Sequence, residues 1–150
     1  RAREILAGPP PAKVEAVAHA IARHRFRSAA VPRTASAAEQ DGTLEARVLY
    51  DADKLDAMGA IGVARAYAIA GRRAQRLWAE VPAAFAQRSA EVARGDMANA
   101  EHTPVHEYVF KLSRLKDSLY TATARAIAEG RHEYMARFFE RLDHEVRGEL

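Results

Sequence analysis

Three aspartates and a lysine fall within six residues, Asp51-Ala52-Asp53-Lys54-Leu55-Asp56, inside an apolar frame that runs from Val48 to Ile61. Carboxylates are expensive to bury unless a cation compensates them, so the stretch calls for a metal ion or an internal basic group. If it is helical, Asp53 and Asp56 share a face one turn apart, while Asp51 lies roughly 200° around from Asp53. Asp51 then sits near a helix start, where a carboxylate serves exposed N–H groups.

Three chemistries compete for these acids. An EF-hand counted from Asp51 would put Asp56 where the loop glycine belongs and Gly62 where the bidentate glutamate belongs, so calcium in that form fails. An aspartyl-nucleophile phosphatase would use Val48-Leu49-Tyr50 as a strand, but that chemistry needs a parallel sheet and the rest of the chain reads as helix. The third is a metal site between facing helices, with Asp53 pointing inward beside Lys54 and Asp56. His24 would arrive from the first helix, three residues past Ile21. A histidine on an apolar stripe is more often a core or helix-end residue than a ligand, so spacing alone leaves His24 open.

The elements that must position these groups are helical. After Pro9-Pro10-Pro11, Val14, Val17, Ala18 and Ile21 repeat at helical spacing to about His24, with His19 off the stripe and solvated. Arg27 to Thr43 reads as a loop. A second helix is expected from about Ala52 to Ile69, stopping at Gly71. Around 71–103 the pattern weakens, with Trp78, Val81, Phe85 and Val92 as scattered anchors, and a mobile excursion is expected. Thr103-Pro104 supplies a cap and a first-turn proline for a third helix carrying Val105, Tyr108, Val109, Leu112, Leu115 and Leu119. From Thr121 a last helix places Ala124, Ile127, Ala128, Met135, Phe138, Leu142 and Val146 on one face. Gly59 and Gly62 read as sites of close packing, since glycine inside a helix costs about 1 kcal/mol relative to alanine.

The 150 residues, 49% apolar, suit one globular domain, and no apolar run approaches a membrane span. With no cysteine in the sequence, disulfides, thiolate nucleophiles and Cys-ligated zinc are excluded, and any metal must be held by His and carboxylate. A reducing, cytoplasmic location is expected. The net charge of +3 comes from arginines scattered among acids, without a block of like charge, which argues against a nucleic-acid surface.

The stretch Leu49-Tyr50-Asp51-Ala52-Asp53-Lys54-Leu55-Asp56-Ala57-Met58-Gly59-Ala60-Ile61-Gly62-Val63-Ala64-Arg65 resembles the last metal-ligand motif of HD-domain phosphohydrolases, in a subgroup of small bacterial enzymes with an Asp-Ala-Asp-(Lys/Arg)-Leu-Asp-Ala signature. Ile21-Ala22-Arg23-His24-Arg25-Phe26 is similar to that subgroup's Ile-x-x-His-x-Phe helix. His106-Glu107-Tyr108-Val109-Phe110-Lys111-Leu112, with Leu115-Lys116-Asp117 and Thr121, resembles its His-Phe-x-x-Lys-Leu helix. The likeness implies an all-α HD-domain helical bundle, N-terminally incomplete: Arg1 to Leu6 looks like the segment just after the His-Asp doublet, so the family's histidine and doublet are expected upstream of Arg1.

The same likeness implies a metal-dependent phosphohydrolase acting on a phosphoester or phosphoanhydride, with a nucleotide as one substrate class and Mn²⁺ or Mg²⁺ as cofactor. Asp53 is then the metal ligand and Lys54, Asp56 and His24 the catalytic candidates. Lys54 and Lys111 would contact phosphate, His24 would contact phosphate or a second ion, and Asp56 would orient Lys54 or a metal-bound water. Lys111 and His106 are the substrate-binding candidates. With its ligand set incomplete, this chain is not expected to hold the ion properly. The alternative is a non-catalytic interaction or regulatory domain that keeps the fold. A small phosphorylated molecule is the expected partner, with no membrane; self-association is left open. His102 and His106 are assigned capping or surface roles, and His132 and His144 an exposed face.

Overall fold

Three threonines start three of the helices, each accepting a hydrogen bond from the N–H three residues ahead: Ala46 to Thr43 at 3.3 Å, His106 to Thr103 at 3.4 Å and Ala124 to Thr121 at 3.2 Å. The side-chain oxygen satisfies a first-turn donor that has no intrahelical partner. The structure, a computed structural model, describes residues 10–23, 43–82 and 102–149. Its helices are α1 (Pro11–Arg23), α2 (Leu44–Asp56), α3 (Gly59–Arg72), α4 (Pro104–Phe110), a 3₁₀ helix (Leu112–Ser118) and α5 (Ala122–Arg147). There is no strand among the described residues. None of these helices is long and apolar enough to cross a membrane.

The expected helix from Ala52 to Ile69 is two helices, and the first begins earlier, at Leu44. They part at Ala57-Met58, where Gly59 takes φ +68°, a left-handed conformation that favours glycine. Gly62 is bound to the same turn. A Cβ there would stand 2.2 Å from the carbonyl oxygen of Ala57, so the close approach foreseen at this glycine is to the chain's own backbone. Arg131 of α5 donates to the main-chain oxygen of Leu55, covering the carbonyl end of α2.

The third helix also changes form. After Phe110 it tightens into 3₁₀ geometry, in which residues three apart eclipse one another. Leu112 and Leu115 therefore both face the core, and they are buried together with Leu119. Met58, Val63, Ala124, Ala128, Met135 and Phe139 complete the cluster. On α5 the buried stripe includes Phe139, with Phe138 half-buried beside it; Ile127 and Val146, expected inside, are exposed. On α1 the buried residue is Ala20 rather than Ile21, and His19 is half-buried.

α5 is the hub, packing on α2, α3 and the 3₁₀ helix, while α1 packs on α2. Residues 73–82 leave α3 through Ala74, at φ 53°, and run irregularly. They are nevertheless tied down: the Trp78 indole N–H donates to Asp143 at 3.3 Å, and Val81 packs on Phe110. The rest of the expected excursion, with Phe85 and Val92, lies outside the described residues, as does most of the Arg27–Thr43 loop.

Candidate functional site

The acidic stretch lies at the C-terminal end of α2, and its three carboxylates have three different fates. Asp51 is buried and accepts two main-chain N–H bonds, from Tyr120 to Oδ1 and from Thr121 to Oδ2, each 2.8 Å. This corrects the expected service to its own helix start. Because α2 begins at Leu44, Asp51 is the eighth residue of its helix, and the N-terminus it serves is that of α5.

Asp53 is the accessible carboxylate, with its side chain 47% exposed. The Lys54 ammonium holds its Oδ2 at 2.6 Å. Lys54 itself is buried, only 4% exposed, and its Nζ lies 4.4 Å from the centre of the Tyr50 ring. A desolvated ammonium needs a carboxylate or an aromatic face, and this one has both. Tyr50 packs edge-on against Tyr120 at 5.1 Å, and burial pushes its hydroxyl pKa up. Lys54 thus lies beneath Asp53 and not on the helix surface, as a direct phosphate contact would require.

Asp56, one turn on, is exposed and pairs with Arg65 of α3, whose guanidinium also donates to the Asp56 main-chain oxygen at 3.1 Å. Arg65 is thus a partner of Asp56 that comes from the next helix. Arg65 in turn lines a cavity of about 170 Å³ between α3 and α4, which also takes in Arg73, His102, Glu107 and Lys111. Among the described residues no group of three His, Cys, Asp or Glu is placed to hold a metal ion. His24 lies outside the described residues.

The candidates on α4 divide. Lys111 reaches Glu107 at 2.9 Å and lines the cavity. His106 instead completes a capping box: its Nδ1 stands 2.8 Å from Thr103 Oγ1 and 3.3 Å from the Thr103 main-chain nitrogen. The capping role expected of His106 is what the structure shows, and it is absent from the cavity lining. His102 is not at the surface. It is buried, 5.5 Å ring to ring from His106, with Nε2 3.5 Å from Glu107 Oε2. Burial alone would push the Glu107 carboxyl up, but the adjacent His102 imidazole and Lys111 ammonium bring it down to about 2. His144 is exposed as expected, whereas His132 is half-buried.

Sequence reasoning passed over Arg65, His102 and Glu107. The Glu107/Lys111 spacing of four on a helix was a legible sign of an ion pair. Nothing local marks the meeting of Arg65 with Asp56, nine residues away across the break after α2.

No family model matches the chain. Over 132 residues it is 33% identical to the Bacillus subtilis protein YpgQ, taking in 88% of this chain and 52% of YpgQ, so it spans about half the length of that curated relative. The crystal structure of YpgQ matches with a TM-score of 0.68 at 28% identity, over 99% of this chain and 64% of the other. A structure of YpgQ in complex with ADP matches at 0.63 and 27% identity, over 94% and 56%. An HD-superfamily hydrolase from Bacillus thuringiensis matches at 0.55 and 29% identity, over 73% and 50%. In its helical fold and in its sequence the chain is thus similar to YpgQ and to an HD-superfamily hydrolase, and its all-α architecture is consistent with an HD-type domain.

Proposed function

We propose that this chain serves a divalent-metal-dependent phosphohydrolase acting on a phosphoester or phosphoanhydride of a nucleotide, and that Asp53 is the metal ligand it contributes. The observation that carries the reading is the Asp53–Lys54 pair: a half-exposed carboxylate fixed from beneath by a buried ammonium. Asp51 is spent on main-chain donors and Asp56 on Arg65, which leaves Asp53 as the member of the trio free to meet an ion. The hydrolase named among the similar structures and the ADP complex of YpgQ favour the same chemistry.

The residues fit a metal as one part of its shell. A carboxylate oxygen is a hard donor suited to Mg²⁺ or Mn²⁺, and Lys54 occupies Oδ2 in a way that holds the group without enclosing it. Among the described residues no group of three His, Cys, Asp or Glu completes that shell. When bound, such an ion lowers the pKa of a water and neutralises phosphoryl oxygen. The chain's own residues do the positioning. Lys54 orients Asp53, Asp56 holds Arg65, and Arg65 and Lys111 supply positive charge at the cavity for phosphate oxygens. His24 is retained as a phosphate contact.

The test is hydrolysis of nucleoside phosphates and of a generic phosphoester by the full protein, with Mn²⁺ or Mg²⁺ and after exhaustive chelation. Activity lost on chelation, restored by metal and reduced by orders of magnitude in Asp53→Asn supports the proposal. Activity indifferent to chelation overturns it. No turnover of any phosphorylated compound, with the fold intact, favours the non-catalytic interaction domain.

A further inference from the structure

The cavity between α3 and α4 has a composition that the Asp53–Lys54 pair does not explain. Its floor is made by His102, whose side chain is only 6% exposed, and by Glu107, 16% exposed. Neither His102 ring nitrogen, nor Oε2 of Glu107, has a hydrogen-bond partner among the described residues. The 3.5 Å between His102 Nε2 and Glu107 Oε2 exceeds a normal hydrogen bond. Buried polar atoms left in this state call for a partner. The walls are apolar, from Ala66, Ile69, Ala70 and Leu112. The charged side chains that reach solvent are cationic: Arg65 is 50% exposed and Lys111 29%.

A buried carboxylate and apolar walls disfavour a phosphate within the cavity, leaving it to the solvent-reaching Arg65 and Lys111, and suit a flat heterocycle that donates N–H bonds at one edge. About 170 Å³ is below the roughly 300 Å³ at which pockets for drug-sized ligands begin, so part of a nucleotide fits and the whole does not. Arg65 lines the cavity and is bonded to Asp56, one helical turn from Asp53. We infer that this cavity seats the base of a nucleotide, its N–H edge toward Glu107, with the phosphates leaving along Arg65 toward Asp53. The inference rests on the reading of the protein as one that handles nucleotides, but it concerns binding and does not need turnover.

The experiment is calorimetric titration of the full protein under chelation with ADP, with ribose 5-phosphate and with inorganic phosphate, repeated for Ala66→Leu, which fills the cavity, and for Glu107→Gln. ADP is expected to bind roughly tenfold or more tighter than ribose 5-phosphate, and both variants should lose that margin while keeping their affinity for ribose 5-phosphate. Equal affinity for ADP and ribose 5-phosphate overturns the assignment, as does an unchanged margin in Ala66→Leu. Should Glu107→Gln fail to fold, Ala66→Leu alone decides. Base-dependent binding that persists in Asp53→Asn supports the cavity assignment even if no hydrolysis is found, so failure of the hydrolase reading is scored separately.

Discussion

Asp51, buried in the middle of α2, caps the start of α5 from outside: its carboxylate takes the main-chain N–H of Thr121, the N-cap residue, at 2.8 Å, and that of Tyr120 at the same distance. The hydrogen bonds join residues 69 and 70 positions apart, so one side chain sets how α2 meets the hub helix. The positive end of the α5 dipole adds to the attraction.

Asp51→Ala is therefore expected to lower stability by about 2 to 4 kcal/mol, since two charge-assisted bonds from half-buried main-chain donors to a buried carboxylate are lost. Urea unfolding measures it. Activity per folded molecule should fall far less than in Asp53→Asn, and a larger loss at Asp51 would mean that the ligand is the wrong aspartate of the pair.

Lys54→Met keeps the length of the buried stem and removes the ammonium under Asp53. If Lys54 acts by orienting a ligand, the variant should fold and bind metal roughly 10- to 100-fold more weakly. Metal titration of the folded variant checks this. Unchanged metal affinity would leave Lys54 a packing residue.

Glu107 carries a pH signature. Its folded pKa of about 2 lies below the ordinary 4.5, so its contribution is fully present above pH 4.5 and is lost as the pH falls toward 2. The difference corresponds to something on the order of 3 kcal/mol, with only 16% of the side chain exposed to solvent screening. Glu107→Gln should lower stability at neutral pH and flatten the acid limb between pH 4.5 and 2 in urea midpoints taken across that range. An acid limb as steep as in the parent would assign it to other carboxylates.

Gly62→Ala places a methyl 2.2 Å from the Ala57 carbonyl oxygen, which is backbone and has no rotamer to change. A loss of about 2 kcal/mol or more is expected from thermal unfolding, as for an overpacked core. Gly71→Ala is the control: nothing lies within 4 Å of its added Cβ, and it should be neutral or stabilising.

The sequence by itself determined the helical class, the Thr103 cap and the location of the acidic motif, because these rest on local spacing. Thr103-Pro104 and Thr121 begin helices, and Leu112, Leu115 and Leu119 are buried as expected, although a 3₁₀ helix and an extended residue carry them where one continuous α-helix was expected. The motif Asp51 to Asp56 was visible as chemistry before its roles were. Only the tertiary structure decided which partner each acid has. Spacing and resemblance gave Asp51, Asp53 and Asp56 different expected roles but could not supply their partners, which come from other elements, the Thr121 amide and the Arg65 guanidinium, and from the depth of Lys54. The break at Gly59 and the burial of His102 and Glu107 were equally hidden. A backbone approaching within a Cβ's reach, or an ion pair sunk behind a neighbouring helix, depends on residues far apart along the chain, whereas periodicity reports only on the helix that carries it.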